Sequence, residues 1–268
     1  MVEEIHSFEK YKAFINAISE NTCLKDPHFE YDENNLYGAL KKTGEKAYIT
    51  KTDKEITGLY IWLILPEDKY IEMIIGLSYK EESFEEMLSF IEANHKGYKL
   101  DFVINPQNDR FIKILKGRDA IFEEEQQWLI YEDSSDNLSK FEIISVSPEY
   151  KEQYIDKHRT EGYWTAEKVL NANDKFRPLL AIHQDTVIGY IDVTYCFEKN
   201  EIYDLWVDER FAEKGYELAL LQTATRMNQP NKLMVLVDVN DKMEMKHFIS
   251  AGFIPVEGTN SIYASYMC

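Results

Sequence analysis

Cysteine is scarce in this chain of 268 residues: Cys23, Cys196 and Cys268 are odd in number and far apart. They support neither a disulfide framework nor a cysteine metal site, and are expected to be reduced thiols. The six histidines (His6, His28, His95, His158, His183, His247) include no pair at metal-ligand spacing, so surface or core roles are favoured over zinc. Basic residues are outnumbered 30 to 48, for a net charge of −18. The deficit is spread along the chain, since residues 1–140 hold 17 basic and 28 acidic side chains and residues 141–268 hold 13 and 20. This argues against a nucleic-acid partner, whose affinity would come mostly from phosphate neutralisation. The longest apolar run, Leu59 to Leu65, is far short of a membrane span and suits a buried strand. The first six residues, Met1 to His6, carry acidic side chains where a secretion signal would carry basic ones. A cytoplasmic location with no membrane partner is therefore expected, as a monomer or homodimer. Gly-x-Ser-x-Gly, Walker-type and dinucleotide-binding fingerprints are all missing.

What is present is an ordinary globular composition, 44% hydrophobic and 29% charged, long enough for one large domain or two ordinary ones. Phe8, Tyr11, Phe14, Ile15 and Ile18 fall at helical spacing, followed by a loop and a short helix. Three β runs (47–50, 56–65, 70–77) separated by turns read as an antiparallel meander. Ser83-Phe-Glu-Glu86 fits a capping box opening a helix. Strand 100–104, helix 109–115 and strand 127–131 complete a unit over residues 1–131. The polar stretch Glu132 to Asn137 suits a linker. From residue 140 to 268 the order repeats: strand 141–146, helical segments 148–158 and 165–170, strands 179–182, 187–195 and 202–207, helix 213–227, strand 233–239, helix 242–250, and terminal strands near 254–256 and 262–266. Gly58 and Gly189 both sit early in the second meander strand. Asn105 and Gly117 are 12 residues apart, as are Asn240 and Gly252. Matching order with matching spacing points to internal duplication.

The second half carries two further patterns. Val207 ends a strand, Lys214-Gly215 follows in a turn, and Ala219-Leu-Leu221 lies in the next helix. Val235-Leu-Val-Asp-Val-Asn240 then leads into Phe248-Ile-Ser-Ala-Gly-Phe253. With both, residues 141–268 resemble the GNAT superfamily of acyl-coenzyme A N-acyltransferases. The resemblance implies an α+β fold with a mixed sheet, built as two tandem GNAT-like domains at 1–131 and 140–268, the first of them degenerate. It implies transfer of an acyl group, acetyl above all, from acetyl-CoA as co-substrate to a small-molecule or peptide amine, directly in a ternary complex. The family's phosphate turn, Arg/Gln-x-x-Gly-x-Gly/Ala, is altered here to Ala212, Glu213, Lys214, Gly215 and Glu217.

Amides at a helix start are unpaired and, with the helix dipole, favour phosphate. Glycine at 215 would let the backbone approach it, with Arg210 and Lys214 offsetting the carboxylates of Glu213 and Glu217 only in part. Leu205, Trp206, Val207, Arg210, Lys214, Gly215, Tyr216, Glu217, Asn240 and Phe248 are the expected coenzyme contacts. Asn240 would meet the pantetheine arm or cap the helix that follows it. The tyrosine that the family often uses as proton donor is Phe248 here, leaving Tyr203 and Tyr216 as nearby phenols. Glu201, six residues before Val207, stands where the family's histone-type branch has its base. By the two-residue period of a strand, Glu201 shares a face with Tyr203 and Leu205. A solvated strand-end carboxylate would explain Glu201 as well. A noncatalytic GNAT-fold scaffold that has lost coenzyme binding is the competing expectation.

Overall fold

The computed structural model describes residues 1–30, 34–132, 140–158, 164–197 and 199–268; the linker expected at 132–137 lies almost wholly outside them. The chain forms two compact units. Unit 1 comprises residues 1–127, 238–240 and 257–268, and unit 2 comprises residues 128–237 and 241–256.

In unit 1 the elements are β1 (Val2–Ile5), α1 (Lys12–Ser19), α2 (Asn34–Gly38), β2 (Glu45–Thr52), β3 (Glu55–Leu65), β4 (Tyr70–Ser78), α3 (Glu81–Asn94), β5 (Lys99–Ile104) and α4 (Asp109–Lys116). β6 (Ile121–Tyr131) contributes residues to both units. Unit 2 continues with β7 (Glu142–Ser145), α5 (Lys151–Lys157), α6 (Ala166–Asn171), β8 (Leu179–His183), β9 (Thr186–Val193), β10 (Lys199–Val207), α7 (Tyr216–Asn228), β11 (Lys232–Asp238), α8 (Lys242–Ser250) and β12 (Phe253–Pro255). β13 (Ser261–Met267) ends the chain. β1 was not legible in the sequence, because a four-residue edge strand is specified by its pairing with β2 more than by any alternation of its own.

Both units repeat one topology. Antiparallel β1-β2-β3-β4 leads to parallel β5 in unit 1, and antiparallel β7-β8-β9-β10 leads to parallel β11 in unit 2. Two bulges repeat as well. Thr57 and Ile188 are the extra residues immediately before Gly58 and Gly189. Ile74 and Tyr203 are the extra residues in β4 and β10, each four positions before the residue that faces the glycine, Ser78 or Val207. Two bulges at equal offsets are strong support for duplication, because a bulge re-aims every side chain beyond it. The glycines are fixed by crowding. A Cβ at Gly58 would lie 2.3 Å from Ser83 Oγ, and one at Gly189 would lie 2.9 Å from the Trp206 carbonyl oxygen. The other spacing match does not mark equivalent residues: Gly117 caps α4 with ordinary right-handed dihedrals, whereas Gly252 has φ +101°.

The last strand departs from the expected boundary. β13 lies antiparallel between β5 and β6 and so belongs to unit 1, although the sequence places it in the second half. In unit 2 the place beside β11 is taken by the end of β6, whose residues Leu129–Tyr131 also pair with β12.

In each unit the sheet is buried on both faces, which is why β3 reads as a continuous apolar run. Tyr60, Trp62 and Ile64 pack with α3 and α4, and Leu59 and Ile61 pack with α1. In unit 2, Ile191 and Val193 face α7 and α8, while Tyr190 faces α5 and α6. Ser83 is not a cap. α3 begins at Glu81, and the buried Ser83 hydroxyl bonds Thr50 Oγ1 at 2.5 Å and the Tyr60 hydroxyl at 2.6 Å. The capping-box pattern is overridden because position 83 faces the Gly58 gap, where a hydroxyl fits and a larger group does not.

Candidate active-site cleft

β10 and β11 pair only from Lys199–Lys232 to Ile202–Val235. At the next residue β10 bulges at Tyr203, and a cleft of about 420 Å³ opens between the strands, lined on its helical side by Glu217 of α7 and by residues 243–244 and 247–248 of α8. That volume is within the usual range for small-molecule sites. The lining on α8 follows from helical spacing: Met243, Glu244, His247 and Phe248 share one face.

Unit 1 stops pairing at the same point, Met73–Phe102, but there the opening is closed by its own chain. Asn105 Nδ2, just past β5, donates to the carbonyls of Thr22 and Lys25 at 2.8 and 3.0 Å. The buried carboxylate of Asp26 accepts the Gly76 N–H at 2.8 Å. The segment from Thr22 to Asp26 thus runs from β5 to β4 across the gap. Gly76, two residues past the bulge, is the counterpart of Leu205.

At the head of α7, Gly215 has φ +89°, a conformation that a residue with a Cβ adopts only with strain. The space itself is tolerant, since a Cβ there would meet the Phe141 ring at 3.4 Å. A 3₁₀ segment, Glu209–Lys214, precedes Gly215, and the first amides of α7 have no carbonyl within the helix to bond. Arg210 is committed to Asp208 through two charge-assisted bonds of 2.6 and 2.9 Å, which hold the Asp208 carboxyl down at about 2. Lys214 lies 4.3 Å above the Phe211 ring. Glu217 accepts from His247 Nε2 at 2.8 Å across the cleft. That bond raises the imidazole above its ordinary value, against the opposing effect of partial burial.

Of the residues expected from sequence, the cleft brings together Tyr203, Leu205, Glu217 and Phe248. Glu201 is not in the lining. It lies below the divergence, its amide bonded to Thr194 Oγ1 at 2.8 Å, and the bulge at Tyr203 breaks the period that would have put the three on one face. Trp206 stacks on Tyr190 toward α5. Val207 packs in the α7-side core. Tyr216 is buried, with its hydroxyl 2.9 Å from His183 Nδ1. Asn240 belongs to unit 1, donates to Glu124 Oε2 at 3.0 Å, and does not cap α8. That cap is Asp241, which accepts the amides of Met243 and Glu244. The Glu213 side chain lies outside the described part of the structure.

Sequence reasoning missed Asp204. Its carboxylate accepts the Tyr190 hydroxyl at 2.6 Å, and it borders the cleft. Its cross-strand partner is Asp192, which is buried, accepts Tyr154 OH at 2.8 Å and lies 2.8 Å from His158 Nε2. Burial holds the Asp192 carboxyl above its ordinary value, opposed by those two hydrogen bonds. The pairing of β9 with β10 creates this cluster, so no local motif could announce it.

No protein-family profile matches the chain, and no curated protein matches it. Solved structures do. A tandem GNAT protein from the clavulanic acid biosynthesis pathway is 8% identical, covers 100% of this chain and 98% of its own, with a TM-score of 0.61. A GCN5-related N-acetyltransferase from Sphaerobacter thermophilus is 12% identical over 82% of this chain and 80% of its own, with a TM-score of 0.60. A GNAT-family acetyltransferase from Colwellia psychrerythraea is 12% identical over 100% of both chains, with a TM-score of 0.55. The fold is that of the GCN5-related N-acetyltransferases. More particularly, it is a tandem GNAT fold over the full chain.

Proposed function

We propose that unit 2 is an acyl-coenzyme A dependent N-acyltransferase, using acetyl-CoA, that binds its coenzyme in the cleft between β10 and β11. The observation that carries this reading is the separation of two parallel strands at the Tyr203 bulge, directly beneath the head of α7. A parted pair of strands exposes backbone amides and carbonyls to a ligand, and a fixed amide near a thioester carbonyl stabilises the developing oxyanion. The pyrophosphate would sit at the start of α7, where Gly215 turns the chain and Lys214 supplies a cation. Phe248 carries no hydroxyl, so the departing thiolate is protonated from elsewhere. Attack by the amine is direct, and the acceptor is a small molecule or a peptide amine in a cytoplasmic monomer or homodimer.

Glu217 and Glu244 in the lining favour a second reading, a noncatalytic scaffold, because carboxylates repel a polyanionic coenzyme. Thermal shift with acetyl-CoA separates the two. Ligand at one hundred times its Kd adds about 2.7 kcal/mol to the bound unit, whereas no shift at millimolar acetyl-CoA would leave only the scaffold.

A further inference from the structure

We infer that Asp204, and not Glu201, receives the acceptor's primary ammonium and takes its proton, with Tyr190 as the residue that positions it. The assignment rests on the acyl-transfer reading of the same cleft.

Asp204 stands one residue past the bulge, where the strands have parted. Its side chain shares a face with Tyr190 and Asp192 across the β9–β10 ladder. That face is covered by α5 and α6, whereas Leu205 turns to the α7 side where the coenzyme is placed. The carboxylate is therefore at the opening but on the side away from the coenzyme, as a base for an incoming amine must be. The Tyr190 hydroxyl fixes one carboxylate oxygen at 2.6 Å. Behind it, Tyr190 is clamped between the His158 ring, stacked at 5.1 Å and 13°, and the Tyr154 ring, edge-on at 5.5 Å. Asp192 ties His158 and Tyr154 together. A fully buried scaffold thus sets the direction of a carboxylate at the cleft edge.

Tyr203, half exposed at the bulge, meets Trp164 and Phe176 edge-on. These rings form an apolar wall beside Asp204 that suits the carbon chain of a cationic amine.

The step balances without further reagents. One N–H proton passes to Asp204 and then to solvent. The freed lone pair forms the C–N bond at the thioester carbonyl, the C–S bond breaks, and sulfur keeps that electron pair. Of the two protons left on nitrogen, one stays in the amide and one ends on sulfur.

The test uses the full chain and 1,6-diaminohexane as probe. Calorimetry without coenzyme should show the diamine binding the wild type and binding Asp204→Asn at least tenfold more weakly, with Glu201→Gln unchanged. Asparagine keeps the size and can still accept from Tyr190, so melting should be preserved. With acetyl-CoA, Asp204→Asn should lose about 10² to 10⁴ in turnover, and Asp204→Glu should recover part of it. Tyr190→Phe should lower kcat while leaving the KM for acetyl-CoA in place, which a merely structural role would not do. A wild type that binds no diamine, or an Asp204→Asn that binds and turns over like the wild type, overturns the assignment. Diamine binding that depends on Asp204, in a chain that gives no thermal shift with acetyl-CoA, would instead remove the acyl-transfer reading and leave the ammonium site standing.

Discussion

Glu217 decides most at the scale of single residues. It sits in the first helical turn of α7, where an acidic side chain complements the helix dipole, but where a pyrophosphate would otherwise collect the same benefit. Replacing it by glutamine removes a charge from the proposed phosphate site and releases His247 to meet an anion. Acetyl-CoA should then bind Glu217→Gln about tenfold more tightly, ~1.4 kcal/mol, in a direct titration; equal or weaker binding would place the pyrophosphate elsewhere. The same pair sets a pH dependence. The folded-state pKa of His247 is raised by its bond to Glu217, so the pair contributes fully below the unfolded value of about 6.5. That contribution is lost as pH rises through the raised value. Both partners are partly exposed, so the gain is about 1 kcal/mol or less. His247→Gln should therefore cost stability at pH 6 and almost none at pH 9, and the reverse trend would contradict the pairing.

Ser83 illustrates a different kind of residue effect. Its hydroxyl lies among those of Thr50 and Tyr60, and Thr50 also accepts from Thr57 Oγ1 at 3.0 Å. Ser83→Ala would leave these buried groups short of a partner, costing about 1–3 kcal/mol in chemical denaturation. A loss below about half a kcal/mol would mean that the remaining hydroxyls rearrange to satisfy one another.

β13 is the decisive structural element. It fills the place between β5 and β6, where Ala264 is fully buried and Tyr266 stacks on Phe102 at 5.6 Å and donates to Glu92 at 2.7 Å. Ending the chain after Gly258 should strip unit 1 of an interior strand and expose its core to protease. Residues 1–127 should then be digested well before residues 141–237. A truncated chain in which unit 1 keeps its protection would show that β13 is dispensable. The segment Thr22 to Asp26 makes a second point at this scale. Its Thr22 and Lys25 carbonyls accept from the Asn105 side chain just past β5, and its Asp26 carboxylate accepts the Gly76 N–H of β4, so one topology yields a closed gap in unit 1 and an open one in unit 2.

For the whole molecule this asymmetry predicts one coenzyme per chain. Isothermal titration with acetyl-CoA should give a stoichiometry near one, and Gly215→Asp should abolish it. The Gly215 variant should also melt lower, because an aspartate must adopt φ near +89°. Two equivalents would point to the second depression, at the β4–α3 junction beside Lys80 and Arg110, and would make the halves functionally alike.

The repeated order of elements, the meander glycines and the strand–turn–helix around Gly215 were all legible in the chain, because periodicity and chain reversals are local properties. The order of elements in each half, up to its closing strand, followed from them. Which half owns β13, which gap is plugged, and that Asp204 rather than Glu201 borders the cleft were not legible. Each depends on a pairing between residues far apart: β13 with β5, Asp26 with Gly76, β9 with β10. The bulge at Tyr203 matters most, since one extra residue reverses the face of everything beyond it, and only the partner strand reveals that it is there.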